Sequence, residues 1–170
     1  MRRDESTVAE IEAVPRAFAI GVPRIEDVGI DRTALKMLAE VPLFKDLSKR
    51  HLHKLGRVAK AVRYSSGRVI VKDGSPGKAF FVIVTGKATV VADVGNRVLA
   101  GLGPGDFFGE LALLDGGPRT ASVVADSAVE TVQLSRKAFQ ELVMNDPEVG
   151  LRIMKDLAGR IRDLTRALSG

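Results

Sequence analysis

From about residue 60 to residue 134 the chain is cut into short β-branched or aromatic runs, and this punctuation limits the fold more than any other feature. AVRY, RVIVKDG, AFFVIVTGKATVVADVGNRVLAGLGPGDFFG and RTASVVADSAVETVQL are bounded or subdivided by Gly67, Asp73-Gly74, Thr85-Gly86, Gly95-Asn96 and Gly103-Pro104-Gly105. β-Branched and aromatic side chains suit a pleated, half-buried surface. Short strands at regular spacing with turn signals predict an all-β sandwich, barrel or jelly roll. VGN between VVAD and RVLA reads as a tight hairpin.

On either side the period changes to that of helices. A helix is expected over about 32–40 with Asp31 as its cap, interrupted by Pro42. Ser48 is placed to cap SKRHLHKLGRVA, whose Leu52, Leu55 and Val58 share one stripe. Ser135 is placed to cap SRKAFQELVMN, with Phe139, Leu142 and Val143 on one side. Asn145-Asp146-Pro147 stops that helix and starts the next, with proline in its first turn. Val149, Ile153, Leu157, Ile161, Leu164 and Leu168 then step by three or four along one face of a helix over about 147–168. Residues 1–30, broken by Pro15, Gly21, Pro23 and Gly29, read as an N-terminal arm, partly helical or flexible. The expected organisation is this arm and one domain over 31–170: helices 31–58, a β-region 59–134 and C-terminal helices 135–168.

Composition narrows the chemistry. The 170 residues include no cysteine, which removes disulfides, thiolate metal sites and a cysteine nucleophile. His51 and His53 lie two apart on one helix and point in different directions, so no zinc centre is expected. No Ser-His-Asp constellation offers an activated nucleophile, and the chain is not expected to be an enzyme. Gly74-Ser75-Pro76-Gly77-Lys78 lacks P-loop spacing and has Ala79 where a hydroxyl is required, so it reads as a turn. Gly103-Pro104-Gly105 precedes a strand, which rules out a Rossmann reading. No apolar stretch approaches the roughly 20 residues of a membrane span, and the N-terminus does not resemble a signal peptide. A cytoplasmic location is expected. The net charge is +5, with basic residues gathered over Lys45–Lys72 and Arg152–Arg166. This reads as a solvated basic face, with nucleic acid the less favoured partner because no aromatic residues interleave with the charge.

The chemistry concentrates in FGELALLDGGPRTASV, residues 108–123. GELALL has good helix formers for about one and a half turns before Asp115-Gly116-Gly117 ends it. The free N–H groups and dipole at the start of so short a helix attract an anion. Gly109 lets a ligand approach the backbone. Arg119 suits bidentate phosphate binding. Glu110 repels a phosphate but can accept hydrogen bonds from a ribose hydroxyl. Together they suit a compact ligand with both phosphate and ribose. The alternative is a buried Glu110–Arg119 ion pair that needs no ligand.

FGELALL followed by PRTA resembles the phosphate-binding cassette of the cyclic-nucleotide-binding domain family, which includes regulatory subunits of cAMP-dependent kinase, nucleotide-gated channels and the bacterial catabolite activator protein. GKATVV and the Asp73-Gly74 turn match further family landmarks, and the resemblance covers roughly residues 40–168. It implies a mainly β fold, an eight-stranded β-roll (jelly roll) with short N-terminal helices, a short cassette helix and two C-terminal helices. It implies that Glu110 takes the ribose 2′-hydroxyl and Arg119 the exocyclic phosphate oxygens. The backbone N–H groups of Gly109, Leu111, Ala112 and Ala121 complete the cradle, next to Phe108. Val90 and Leu99 wall the base. Thr120 leaves the purine open, and the ligand is expected to be cAMP in preference to cGMP.

The resemblance also implies a hinge at Phe139 and Leu142 and lid residues at Arg160 and Leu164, for which ordinary amphipathic packing or a helix-pair dimer seam is the competing reading. No catalytic cofactor is implied. No helix-turn-helix, kinase or channel segment is recognised. The output is therefore expected to run through an effector protein, through self-association of the last helix, or through a further domain outside this sequence. Two other functions stand beside the sensor: a protein-interaction scaffold of the same fold that binds no nucleotide, and a basic nucleic-acid-binding regulator.

Overall fold

The computed structural model describes residues 32–170. The arm at 1–30 and the Asp31 cap lie outside the described residues. Two helices come first, α1 (Arg32–Glu40) and α2 (Lys49–Val58), joined through a 3-10 turn at Pro42–Phe44. Ser48 caps α2, its hydroxyl accepting from the His51 amide at 3.2 Å. Eight strands follow: β1 (Lys60–Tyr64), β2 (Val69–Val71), β3 (Ala79–Thr85), β4 (Ala88–Ala92), β5 (Arg97–Leu102), β6 (Phe107–Phe108), β7 (Ser122–Ala125) and β8 (Val129–Ser135). A short helix α3 (Glu110–Asp115) interrupts them, and α4 (Arg136–Asn145) and α5 (Pro147–Ser169) close the chain.

The strands form two four-stranded antiparallel sheets, ordered β1-β8-β3-β6 and β2-β7-β4-β5. Alternation along β3 explains the layering, since successive side chains leave a strand on opposite faces. Phe80 and Val82 pack with Leu38, Phe44, Leu55, Phe139 and Leu142 in a core under the helices. Phe81 and Ile83 pack with Val123, Ala125 and Val129 in a second core between the sheets. Phe107 and Phe108 divide in the same way, Phe107 to the helical core and Phe108 to the inter-sheet core. The first sheet is thus covered on both faces, and β6 delivers the chain into α3 from between the two cores.

Two amphipathic stripes are only partly covered. On α2, Leu55 is buried and Leu52 packs against the core, but Val58 is exposed because the chain turns out of the helix at Ala59 towards β1. On α5, Val149 and Ile153 are buried and Leu157 is packed, whereas Ile161, Leu164 and Leu168 are 63%, 56% and 87% exposed. The base of α5 is fastened by side chains. His51 Nδ1 lies 2.5 Å from the Asp146 carboxylate, and Arg152 pairs with Asp46 and donates to the Pro42 carbonyl. His51 therefore serves an inter-helix contact. No cluster of three potential metal ligands occurs among the described residues.

Candidate functional site

A cavity of about 1100 Å³ opens between the β4–β5 hairpin, α3 and the distal part of α5. Phe108, Gly109, Glu110, Leu111 and Ala112 line it from the cassette, and Arg119, Thr120 and Ala121 from the segment entering β7. Val90 and Leu99 line it from the hairpin, Arg160 and Leu164 from α5. Val90 pairs with Ala100 and Val91 with Val98, so Leu99 is the extra residue of a β-bulge. Phe139 and Leu142 do not reach the cavity; both are buried in the helical core, where the Phe139 ring lies 4.8 Å from that of Phe80.

Backbone conformation builds the cassette. Gly109 caps α3 at φ 90°, a left-handed value that costs a side-chain-bearing residue of order 1 kcal/mol or more. A Cβ there would also come within 2.7 Å of Arg119 Nη1 and 3.0 Å of the Ala79 carbonyl oxygen. Only glycine allows the guanidinium to lie this close to the start of the helix.

Arg119 is 6% exposed and held from several sides. Its Nη1 donates to the Gly109 carbonyl at 2.7 Å and its Nη2 to the Ala79 carbonyl at 2.6 Å. Its guanidinium sits 5.7 Å from the centre of the Phe81 ring, which stacks on Phe108 at 4.7 Å. The 74–76 loop brackets its backbone: the Gly74 amide donates to the Arg119 carbonyl at 2.8 Å, and the Arg119 amide to the Ser75 carbonyl at 2.8 Å. The stretch that reads in the sequence as a plain turn is thus a clamp on Arg119. It acts through backbone groups, which leave no side-chain signature. The contributions of Ala79 and Phe81 were equally silent, since a carbonyl and a core phenylalanine look ordinary in any strand.

Glu110 is 1% exposed and does not pair with Arg119. Its Oε1 accepts from Arg160 Nη1 at 2.7 Å, while Arg160 also donates to the Phe107 carbonyl at 3.2 Å and contacts Asp156 at 2.8 Å. The ligand-independent Glu110–Arg119 pair that the sequence allowed is not formed, because the Arg119 fork is spent on carbonyls. Glu110 Oε2 and Arg119 Nε are buried without hydrogen-bond partners among the described residues. An orphaned buried polar atom costs about 1–3 kcal/mol. The two are of opposite kind, an acceptor and a donor, and the residues that carry them both line the cavity.

Burial pushes the Glu110 carboxyl above the ordinary glutamate range, and Arg160 pulls it back part of the way. Folding therefore favours its protonated form: this contribution to stability is complete below the unfolded-state value and is lost as pH rises through the folded-state one. Glu110→Gln is expected to melt above the wild type at neutral pH, with the gap closing as pH falls towards about 4. Thermal melts across that range check this, and a gap that does not shrink in acid contradicts it. Burial likewise lowers the Arg119 pKa, opposed by Glu110 and reinforced by the nearby Arg136.

Comparison with known proteins settles the family. The family model for the cyclic nucleotide-binding domain matches residues 61–146, the β-region through α4. The chain belongs to the cyclic nucleotide-binding domain family. Among curated relatives, a cAMP-dependent protein kinase regulatory subunit from Colletotrichum orbiculare is 38% identical over 106 residues, 62% of this chain and 27% of that protein. The domain thus spans about a quarter of the length of the kinase regulatory subunits it matches. Among solved structures, PKAR CBD2 with Sp-2Cl-cAMPS bound is 30% identical with a TM-score of 0.67, covering 78% of this chain and 90% of that one. The Thermus thermophilus catabolite activator protein is 33% identical with a TM-score of 0.67, covering 75% and 62%. The eight-stranded roll with flanking helices is the fold these neighbours share. No helix among the described residues is long and apolar enough to cross a membrane.

Proposed function

We propose that this cyclic nucleotide-binding domain is a cytoplasmic cAMP receptor that works as a regulatory module and catalyses nothing. Arg119 takes the exocyclic oxygens of the cyclic phosphate, helped by the amides of Gly109, Leu111, Ala112 and Ala121. Glu110 takes the ribose 2′-hydroxyl through Oε2, while Oε1 stays with Arg160. Val90 and Leu99 flank the purine, and Thr120 admits cGMP as the weaker ligand. The observation that carries this reading is the pair of orphaned groups, Glu110 Oε2 and Arg119 Nε, on two residues that line one cavity. A ribose cyclic phosphate supplies a donor for the first and an acceptor for the second. The cAMP-analogue complex among the structural neighbours supports the same ligand class.

The response is a shift between open and closed placements of α5. Arg160 and Leu164 form the lid, and Phe139 and Leu142 carry the hinge on α4. Ligand moves this balance only to the extent that it binds the closed form better. The signal then passes to an effector protein or to a second copy through the uncovered stripe of Ile161, Leu164 and Leu168. The test is 2′-deoxy-cAMP against cAMP. A site built to hydrogen-bond a hydroxyl rejects a ligand lacking it, and at about 1.5–3 kcal/mol for a bond to a charged group the deoxy ligand binds about 10- to 100-fold more weakly. In Glu110→Ala the two ligands bind alike. Equal binding to the wild type removes Glu110 from the ribose.

A further inference from the structure

Arg136 does not itself line the cavity, yet three segments of the site meet at it. It is the first residue of α4, the helix whose N-cap, Ser135, accepts from the Ala138 amide at 3.2 Å. Its Nη2 donates to the Gly77 carbonyl at 2.7 Å and reaches the Ala112 carbonyl at 3.4 Å. Ala112 lies among the last four residues of the six-residue α3, whose carbonyls the helix cannot satisfy internally. Gly77 in turn lies flat on α3, since a Cβ there would overlap the Ala112 methyl. The same loop brackets the Arg119 backbone through Gly74 and Ser75. One half-buried guanidinium therefore links the loop that holds Arg119, the cassette helix and the first turn of α4.

We propose that Arg136 is the positioning residue that makes the cassette and α4 move as one body, so that anion capture at Arg119 is transmitted to the C-terminal helices. The proposal rests on the cyclic-nucleotide reading of the cavity. A charged nitrogen shared between two carbonyls resists relative sliding better than a neutral donor does, because charge-assisted bonds are shorter and stronger. The alternative is that Arg136 only anchors the start of α4. The two differ in what is lost with the guanidinium: coupling in the first case, local stability of α4 alone in the second.

The test is amide hydrogen exchange on the wild type, Arg136→Gln and Arg136→Lys, each without ligand and saturated with cAMP. In the wild type cAMP is expected to slow exchange in α3 and also in α4 and α5. Arg136→Gln is expected to bind cAMP within about threefold of the wild type, since no donor to the ligand is removed. It keeps the protection of α3 but loses that of α4 and α5, and Arg136→Lys restores part of it. Full protection of α4 and α5 in Arg136→Gln overturns the proposal. So does a collapse of affinity, which would make Arg136 a binding group. The ligand-free samples judge the link even if cAMP does not bind the wild type, a result that defeats the cyclic-nucleotide reading. There Arg136→Gln is expected to speed exchange in 110–116 and 136–145 together, and a change confined to α4, or none, counts against the link.

Discussion

Arg119→Ala is expected to weaken cAMP binding by roughly two to three orders of magnitude while the β-roll stays folded. Truncating one partner of a buried, hydrogen-bonded charge pair costs about 2–5 kcal/mol, and each 1.4 kcal/mol is about a factor of ten. The middle of that range applies because the site is arranged around this side chain. Two carbonyls and a phenylalanine face hold the guanidinium and a loop brackets the Arg119 backbone, so wild-type binding spends little on ordering it. Burial lowers the arginine pKa, but a guanidinium stays charged at neutral pH. Arg119→Lys keeps the charge and loses the planar fork that reaches Gly109 and Ala79, so it should recover only part of the affinity. Calorimetry measures the affinities, and circular dichroism verifies the fold. Binding by Arg119→Ala within about twofold of the wild type would falsify the assignment of the phosphate to Arg119.

The second large effect is on stability. Phe139→Ala is expected to cost about 3–5 kcal/mol, the range for deleting a buried phenylalanine and leaving a cavity. Phe139 is fully buried, and its ring lies 4.8 Å from Phe80, which itself lies 5.6 Å from Phe107. That chain of rings ties α4 to the middle of the first sheet and to the strand that leads into the cassette. The wall cannot collapse to fill the gap, because Leu134 and Val132 of β8 and Phe44 below are also buried against it. Phe139→Leu roughly conserves volume and is expected to cost less than about 1.5 kcal/mol. Urea denaturation separates the two. A loss below about 1 kcal/mol for Phe139→Ala means that α4 is not anchored by this ring. If Phe139 also serves as the hinge, the leucine variant binds cAMP while the movement of α5 is altered.

The β-architecture was legible because two local signals agree, β-branched runs and glycine turns, and no tertiary information is needed to read either. The short α3 was legible for a related reason: six residues from Glu110 to Asp115 lie between two glycines that both adopt positive φ. The cassette, hairpin and lid residues expected at the site do line one cavity, but their wiring was not legible. Glu110 and Arg119 are nine residues apart, so pairing them was the natural local inference. The actual partner is Arg160, fifty residues further on and brought in by a helix whose placement depends on the His51–Asp146 and Arg152–Asp46 contacts at its base. Helical periodicity showed that Val149 to Leu168 share a face, but it cannot say which turns find something to pack on. The first half meets the core, and the second half extends over the cavity mouth and beyond. Carbonyl contacts such as those at Ala79, Gly77 and Ser75 are invisible in any sequence, since every residue carries the same acceptor.

The most direct test of the receptor reading is a calorimetric titration of the nucleotide-stripped protein with cAMP and then with cGMP, alongside Arg119→Ala. The account predicts saturable binding of one cAMP per chain at micromolar or tighter affinity, weaker binding of cGMP, and loss of both in the variant. Absence of binding of either nucleotide to the stripped wild type would contradict it, and the roll would then be a scaffold that keeps the cassette without its ligand.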